Sequence, residues 1–427
     1  MNILNLKLNM ITEYPFKKYF IRDVKELYNE LEDYDFNVVK SKYHLKDQYK
    51  YKLFLPPLFR GKPYHIEGHE VPTDDITDYF IEEIRLNVRL GSEKSPLELW
   101  EEKRIEIVNK AEDITYESIR KASYNTLTEA TTFKPNWART LIKFIIKDNI
   151  EGKRWLDISA GWGDRMIAAM SLNMKYQGYD PNFNLEPYYN EMINTFDTKY
   201  KPKIYIEPFE TAKINGKFDL ILSSPPFFNY EKYSNDKNQS YIKYNSYDNW
   251  MVNFLFTSLK KAWDKLEFEG YLILHLSDTK INNLVEPTNI FISEYLSYSN
   301  YEGVIGLKGN SKYYRPVWVW KKTVNYKNLN LNMEKLYNNL YNNFFNKLIF
   351  EINKNNSNNN IKKEIEIKVS KKEFKKWEII FKIINNRNNK DFNNFINKYP
   401  SIHKQLLNIY NNNLNNIVIL IIKCYKF

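Results

Sequence analysis

The sequence predicts an α/β fold built on a doubly wound, mostly parallel sheet, and three observations support this class. Between residues 131 and 322, short apolar runs alternate with amphipathic stretches of helix length, which is the pattern of parallel strands joined by helices. The first run ends in a turn of small residues, and the second ends in an acid. Near the end of the region, Gly303, Gly306 and Gly309 supply turns that would close the sheet.

Seven apolar runs are predicted to be the strands of this sheet. They cover residues 154–158, 176–179, 204–206, 218–222, 271–276, 301–307 and 316–320. Apolar residues at helical spacing predict helices between or beside them, which cover residues 137–146, 164–172, 185–196, 247–266 and 286–296. The sheet domain is therefore assigned to residues 124–322.

The two flanking regions differ from the sheet domain in composition. Residues 1–123 are charged and tyrosine-rich, and apolar spacing predicts helices over residues 78–86 and 97–108. This region is expected to be mainly helical and is a candidate for target recognition. Residues 323–427 are rich in Asn, Lys and Ile, with apolar residues at helical spacing from Leu336 to Leu348. This basic extension is expected to be helical or partly disordered.

Positive charge is concentrated at one end of the chain. The 427 residues carry 63 Lys and Arg against 52 Asp and Glu, a net charge of +11. Residues 323–427 hold 18 of the basic and seven of the acidic side chains, so the preceding 322 residues are neutral. The basic extension either attracts phosphate groups or reflects a codon bias toward Asn, Lys and Ile. Basicity is therefore only supporting evidence for a nucleic-acid partner.

Several classes of protein and site are disfavoured by the sequence. The single cysteine, Cys424, excludes an intramolecular disulfide and a multi-cysteine metal site. His65 and His69 are four residues apart, but Gly68 between them disfavours a helix and no third ligand is evident, so no metal is expected. No apolar run approaches the ~18 residues that a membrane span requires, and the first residues lack a signal pattern. We expect an intracellular, soluble protein without a membrane partner, and cytoplasm, nucleus and viral factory stay open.

The first motif with chemical meaning joins a strand to a helix. It has the sequence Leu156-Asp157-Ile158-Ser159-Ala160-Gly161-Trp162-Gly163-Asp164. Glycines allow a tight turn and close approach of a ligand, and the free amides of the helix can receive a carboxylate or phosphate. Asp180 closes the next strand, where an acid can accept hydrogen bonds from both hydroxyls of a ribose. Either feature alone is usually a turn or a helix cap, but their order favours a nucleotide site.

The second motif follows the strand at residues 218–222 and has the sequence Ser223-Ser224-Pro225-Pro226-Phe227-Phe228. Prolines make the backbone rigid and have no N–H to bond neighbouring carbonyl oxygens. Ser224 and the Pro225 carbonyl can accept hydrogen bonds from the amine of a planar base, on which Phe227 can stack. Two prolines after a strand are usually only a stop signal, but here they lie 61 residues after the glycine turn.

Together, these motifs resemble the S-adenosylmethionine-dependent amino-methyltransferases, which methylate the exocyclic amine of adenine or cytosine in nucleic acid. Phe133-Lys134-Pro135, ahead of the helix at 137–146, is similar to the family's segment beneath the methionine end of the cofactor. Glu269-Gly270-Tyr271 is similar to its Gly-Gly-x-Leu strand, with Glu269 in place of the first glycine. The order of the motifs matches the adenine type, whereas serine at Ser224 is commoner in the cytosine type. The methylated base stays open.

The resemblance implies a Rossmann-like, seven-stranded methyltransferase sheet that binds S-adenosylmethionine. It implies that a base is flipped into the pocket and that the partner is DNA, with RNA possible; the oligomeric state stays open. The cofactor residues would be Phe133, Lys134, Pro135, Asp157, Ser159, Gly161, Gly163 and Asp180. The catalytic residues would be Ser224, Pro225, Pro226 and Phe227.

Two other functions are compatible with the same motifs. One alternative is an RNA base amino-methyltransferase. The other is a catalytically silent, cofactor-fold protein that binds nucleic acid. The loop with Tyr230, Tyr233, Gln239 and Ser240 would cover a flipped base or be ordinary surface. A basic and aromatic stretch over residues 40–62 would contact nucleic acid or solvent. His275 is isolated in the sequence and is interpreted as a packing or surface residue.

Overall fold

The computed structural model describes residues 12–41, 48–51, 53, 55–90, 93–324, 364–370 and 417–423. The chain divides into two units, Met1–Val285 with Tyr298–Lys327, and Glu286–Ser297 with Asn328–Phe427. Over the described ranges, none of the helices combines the length and apolarity needed to cross a bilayer. The three-part division at residues 123 and 322 stays a prediction.

Eleven strands are found in the described part of the first unit. They are β1 (Asn37–Lys40), β2 (Tyr64–Glu67), β3 (Arg89–Leu90), β4 (Arg154–Asp157), β5 (Lys175–Tyr179), β6 (Lys203–Tyr205), β7 (Phe218–Ser223), β8 (Glu231–Lys232), β9 (Leu266–His275), β10 (Ser299–Lys308) and β11 (Arg315–Lys322). Nine of them form one sheet in the order β1-β2-β10-β11-β9-β7-β4-β5-β6, and β3 pairs separately with β8.

The predicted fold class is confirmed by the directions of these strands. Strands β6, β5, β4, β7 and β9 are parallel neighbours, as in the register of Trp155 with Leu220. Strand β11 is antiparallel to both β9 and β10. From β6 to β10 this is a doubly wound, seven-stranded sheet with one reversed strand. The parallel strands therefore end at one edge, and β11 begins there.

Most helices of the first unit overlap the predicted amphipathic stretches. The helices are α1 (Val24–Asn29), α2 (Ile76–Arg85), α3 (Pro96–Lys110), α4 (Tyr116–Thr126), α5 (Pro135–Ile146), α6 (Asp164–Ser171), α7 (Glu186–Thr195), α8 (Ser240–Lys243), α9 (Tyr247–Trp250) and α10 (Thr257–Lys265). A π-helix, Met251–Phe256, joins α9 to α10, and short 3-10 helices cover Lys17–Tyr19, Glu30–Tyr34, Pro72–Asp75 and Phe183–Leu185. Helices α1, α4 and α8 were not predicted, and the stretch predicted at 247–266 is divided into α9, the π-helix and α10.

Apolar side chains from the central strands fill the core. Trp155 of β4 and Trp318 and Trp320 of β11 are completely buried, as expected for strands covered on both faces. Each of the indole N–H groups of Trp155 and Trp318 donates to a backbone carbonyl, of Leu222 and Leu276 respectively, at 3.0 Å. These two buried indole donors are therefore satisfied, and each ties its strand to the end of a neighbouring strand.

The N-terminal region adds strands that the sequence did not predict. Besides helices α1 to α4, it contributes β1 and β2, and β2 pairs in parallel with β10 through Leu307 and Ile66. Because β10 is ten residues long, it would otherwise present an unpaired edge. The mainly helical N-terminal region therefore extends the seven-stranded sheet to nine strands.

The described part of the second unit consists of one helix segment and two strands. Helix α11 (Val285–Tyr295) begins at the boundary residue Val285, and β12 (Glu364–Ser370) pairs antiparallel with β13 (Ile417–Lys423). The extension was predicted to be helical or partly disordered, but these residues form strands. Ile365, Ile367 and Val369 alternate with polar residues, which is strand spacing. The helical spacing at Leu336–Leu348 lies outside the described residues.

Candidate active site

A pocket lies where the central strands reach their common edge. It is lined by residues that follow β4, β5, β6 and β7, by the last residue of β9 and by the first residue of β11. Its empty volume is about 1080 Å³, including its open mouth. The edge of parallel strands is the usual ligand position in doubly wound sheets.

The turn after β4 brings the glycine motif and Asp180 together. Gly161 and Gly163 have φ angles of 62° and 97°, a left-handed conformation that other residues rarely adopt. The Gly161 N–H donates to Oδ2 of Asp180 at 2.9 Å. A Cβ atom on Gly163 would lie 3.0 Å from the Met192 sulfur. The turn is therefore held in one conformation against the pocket.

Asp180 directly follows β5, and its carboxylate has further capacity to accept hydrogen bonds. Oδ2 accepts from Gly161, and Oδ1 accepts from the Asn182 N–H at 2.9 Å, so each oxygen retains a further lone pair. Burial raises the pKa of Asp180 to about 6. Burial also raises the pKa of Asp164, another carboxyl group of the pocket, to about 6. Asp180 is thus ionised at neutral pH and can accept two hydroxyl donors.

Asp157, a predicted cofactor residue, is buried beneath the pocket and does not line it. Its carboxylate accepts from Arg165 Nε at 2.7 Å, from the Tyr176 hydroxyl at 2.8 Å and from the Ser223 hydroxyl at 2.7 Å. The Ser159 N–H donates to it at 3.2 Å. These internal donors occupy the carboxylate, so Asp157 supports the glycine turn from below.

Of the predicted cofactor segment Phe133-Lys134-Pro135, Phe133 lines the pocket, as do the preceding Thr131 and Thr132. The ring of Phe133 lines it, with the Arg165 guanidinium 5.6 Å from the ring centroid. Lys134 instead pairs with Asp74, Nζ to Oδ2 at 2.6 Å. Pro135 is the buried first residue of α5. Lys134, Pro135, Asp157 and Gly163 therefore support the pocket, whereas Phe133, Ser159, Gly161 and Asp180 line it.

The Ser-Pro-Pro-Phe turn lines the same pocket two strands away from Asp180. Ser224, Pro225, Pro226 and Phe227 all lie on its wall. Behind them, Phe228 has a φ of 58° and packs against Trp250, with ring centroids 5.8 Å apart. The left-handed Phe228 ends the turn, and its buried ring anchors it. The structure thus brings the predicted catalytic turn and four of the predicted cofactor residues into one space.

His275 belongs to this site, although the sequence indicated only packing or surface. It is the last residue of β9 and is 8% exposed. Its Nδ1 lies 2.9 Å from the Ser224 hydroxyl oxygen, and its ring lies between Phe133 and Phe227, with centroid distances of 5.3 and 5.8 Å. Its position at the carboxyl end of a predicted strand was the signal that could have identified it.

Burial, with the positive charges of Arg315 and Arg165, holds the pKa of His275 well below its ordinary value. The imidazole is therefore neutral at physiological pH. Its Nε2 faces no hydrogen-bond partner among the described residues. A neutral imidazole can accept a hydrogen bond from the Ser224 hydroxyl at Nδ1. The lone pairs of the serine oxygen then remain available to a donor in the pocket.

A loop after β7 closes one side of the pocket. Tyr233, Gln239 and Ser240 line the pocket, whereas Tyr230 is 48% exposed and lies outside it. The Tyr233 hydroxyl donates to Glu231, whose pKa is raised by burial. Glu231 and Lys232 form β8 and pair with Leu90 and Arg89 of β3. The N-terminal region thus holds this loop.

Among the described residues, the two histidines and the basic stretch that the sequence singled out have other partners. The His65 ring bonds Glu67 at 2.9 Å, and His69 packs beside Phe36, with ring centroids 5.7 Å apart. Over the described ranges, no group of three His, Cys, Asp or Glu side chains could hold a metal. Within the basic stretch, Arg60 Nε lies 2.8 Å from Glu302 Oε2. Residues 42–47, 52 and 54 of this stretch are not among the residues that the structure describes.

Comparisons with known proteins add only structural likenesses. No family model and no curated protein matches the chain. Among solved structures, it is 15% identical to TrmN from Thermus thermophilus, covering 44% of this chain and 48% of that one, with a TM-score of 0.31. It is 18% identical to a methyltransferase from Pyrococcus furiosus, covering 52% and 99%, also with a TM-score of 0.31.

A third similar structure is the magnesium protoporphyrin IX methyltransferase ChlM from Synechocystis PCC 6803, determined with bound SAM. It is 11% identical, the match covers 44% of this chain and 79% of that one, and the TM-score is 0.32. The chain spans about half the length of TrmN. Likenesses at this level carry no argument about reaction or substrate. The fold assignment therefore rests on the strand order, and the site rests on its own geometry.

Proposed function

We propose that this protein is an S-adenosylmethionine-dependent methyltransferase that modifies the exocyclic amine of adenine or cytosine in DNA. The observation that carries the proposal is that Asp180, Gly161 and the Ser224–Phe227 turn line one pocket. A nucleoside-binding carboxylate beside an amine-accepting turn supports methylation of a base more than hydrolysis or redox chemistry.

The residues present fit S-adenosylmethionine. Asp180 offers two free lone pairs to ribose hydroxyls, and Gly161 of the glycine turn lines the pocket beside it without a side chain. Ser159, which follows β4, lies on the sheet edge between Asp180 and Ser224, and Phe133 lines the same pocket beside His275. When bound, the cofactor supplies a methyl group on a positively charged sulfur, an electrophile that a neutral amine can attack. The chain therefore needs to supply alignment more than a strong base.

Ser224 and Pro225 would bind the amine of the substrate base. The Ser224 oxygen and the Pro225 carbonyl accept its N–H groups, which favours the pyramidal form of the nitrogen in the transition state. His275, bonded to the Ser224 hydroxyl, orients the serine as an acceptor. Because the pKa of His275 lies far below neutrality, this ring positions Ser224 and does not hold the released proton. Phe227 offers a face for stacking.

A direct test uses the purified full-length chain, cofactor with a tritiated methyl group, and matched DNA and RNA oligonucleotides. Nuclease digestion and mass spectrometry then identify the methylated nucleoside. We expect methyladenine or methylcytosine in DNA, and loss of the product with Ser224→Ala or Pro225→Ala. Label confined to RNA would transfer the function to an RNA base. Cofactor binding without any methylated product would favour a catalytically silent binding protein.

A further inference from the structure

Arg315 is a charged residue of the pocket to which neither motif assigns a role. It is the first residue of β11, which begins at the edge where the parallel strands end. Val317 is the register partner of His275 on β9, so Arg315 lies on the same face of the sheet, diagonal to His275. Its side chain lines the pocket together with His275 and Ser224.

The guanidinium of Arg315 has no acidic partner among the residues that the structure describes. Its observed contact is the ring of Trp137, whose centroid lies 5.7 Å from the guanidinium carbon. Arg165, the other arginine of the pocket, is held by Asp157 and by the Ser159 carbonyl. Burial lowers the pKa of Arg315. Arg315 is half-buried, and a half-buried cation without an acidic partner is stabilised by a bound anion.

The position of Arg315 indicates which anion it meets. Along the edge, Asp180 follows β5, the glycine turn follows β4, Ser224 follows β7, His275 ends β9, and Arg315 begins β11. With about 4.8 Å between neighbouring strands, Arg315 lies two strands beyond Ser224 and roughly 19 Å along the edge from β5. A nucleotide with its amine at Ser224 can extend its sugar and phosphate across the two strand spacings, roughly 10 Å, that separate Ser224 from Arg315. Asp180, which would hold the ribose of the cofactor, lies on the opposite side of Ser224.

We propose that Arg315 binds a phosphate of the nucleotide whose base occupies the Ser224–Phe227 end of the pocket. The inference rests on the proposed function and names its substrate class as a phosphorylated nucleotide within or cut from a polymer. The planar guanidinium can contact two phosphate oxygens at once. Such a contact fixes the position of the nucleotide and does not read its sequence. Nucleosides and uncharged amines are then poor substrates.

The test compares pairs of ligands that differ by one phosphate and needs no knowledge of the target sequence. Calorimetry measures binding of deoxyadenosine and deoxycytidine and of their 5′- and 3′-monophosphates to the full chain saturated with S-adenosylhomocysteine. We expect one monophosphate to bind the wild-type protein at least tenfold more tightly than its nucleoside. Arg315→Ala should remove this ratio, and Arg315→Lys should restore part of it.

Lys203→Ala is the matched control, because it removes an exposed cation at the opposite, amino end of β6. It should keep the wild-type ratio. The proposal is overturned if wild-type protein does not distinguish monophosphate from nucleoside, or if Arg315→Ala leaves the ratio unchanged. It is also overturned if Arg315→Ala weakens S-adenosylmethionine binding instead, since the guanidinium would then hold the cofactor carboxylate. Failure of methyl transfer to any nucleic acid would refute the proposed function without altering these ratios.

Discussion

The hydroxyl of Ser223 donates to Oδ1 of Asp157 at 2.7 Å, which joins the ends of the two central strands β7 and β4. Both residues are completely buried. Ser224, the next residue, lines the pocket and bonds His275 instead. Successive side chains of an extended backbone point to opposite sides. The two adjacent serines therefore have separate roles. Ser223 joins the ends of β7 and β4, and Ser224 lines the pocket.

Ser223→Ala and Ser224→Ala should separate stability from activity. Removing the Ser223 donor from a buried carboxylate should lower the free energy of unfolding by about 1.5–3 kcal/mol. Ser224→Ala should lower it by less than ~1 kcal/mol but should reduce kcat by about 10²-fold, as expected for loss of a group that contacts the reacting amine. Urea unfolding and methyl-transfer assays measure the two effects. Equal losses of stability, or equal losses of activity, would contradict this division.

Cofactor affinity should weaken in mild acid because of Asp180. Burial raises the pKa of its carboxyl group to about 6, so the group is ionised above that pH and protonated below it. Only the carboxylate offers lone pairs on both oxygens to the ribose hydroxyls. Protonation therefore competes with binding, and the affinity measured by calorimetry should fall about tenfold between pH 7.5 and pH 5.

Two variants identify the titrating group. Asp180→Asn should bind weakly with no pH dependence in this range. Asp164→Asn should retain the dependence, although burial also raises the pKa of Asp164 to about 6. If Asp164→Asn abolished the pH dependence and Asp180→Asn retained it, the assignment to Asp180 would be wrong.

His275 should affect the rate without contributing a titration. Because burial and two nearby arginines hold its pKa far below neutrality, kcat at saturating cofactor should show no inflection near pH 6.5 in the wild-type enzyme. His275→Ala should lower kcat about tenfold, since the Ser224 hydroxyl loses the bond that orients it. His69→Ala, at an exposed position outside the pocket, is the control. A histidine inflection that disappears in His275→Ala would show proton transfer instead of positioning.

The sequence predicted the parts of the site that lie close together in the chain. Gly161 and Asp180 belong to a strand–turn–helix–strand unit whose geometry is largely local, so their pairing could be anticipated. His275 and Arg315 come from β9 and β11, and they reach Ser224 only through strand order and register. Those relations depend on packing across the whole sheet. The role of Asp157 could not be predicted either, because two of its donors, Tyr176 and Ser223, lie 19 and 66 residues away in sequence and meet it only in the fold.

The N-terminal region is joined to the segment that precedes Phe133 by a buried ion network. Arg85 of α2 donates from Nε and Nη2 to the two oxygens of Asp78, each at 2.7 Å, and from Nη1 to Glu129 at 3.1 Å and to the Ala130 carbonyl at 2.8 Å. Although burial opposes it, Arg85 and Lys17 lower the pKa of Asp78. The Asp78 carboxylate thus stays ionised through the neutral range, and the network depends on the cations that surround it.

Arg85→Met should therefore be destabilising, by about 3 kcal/mol, because Asp78 and Glu129 each lose one of their two buried cationic partners and keep only Lys17 and Arg120, respectively. Arg89→Met is the matched control, since Arg89 pairs with Glu98 at the surface, where the two side chains are 57% and 38% exposed. Its effect should stay within ~1 kcal/mol. Urea unfolding at pH 7.5 compares the two. Arg85→Met should also weaken cofactor binding under conditions where it is folded, because Ala130, three residues before Phe133, loses its donor. Equal stability of the two variants would show that the network does not hold this segment.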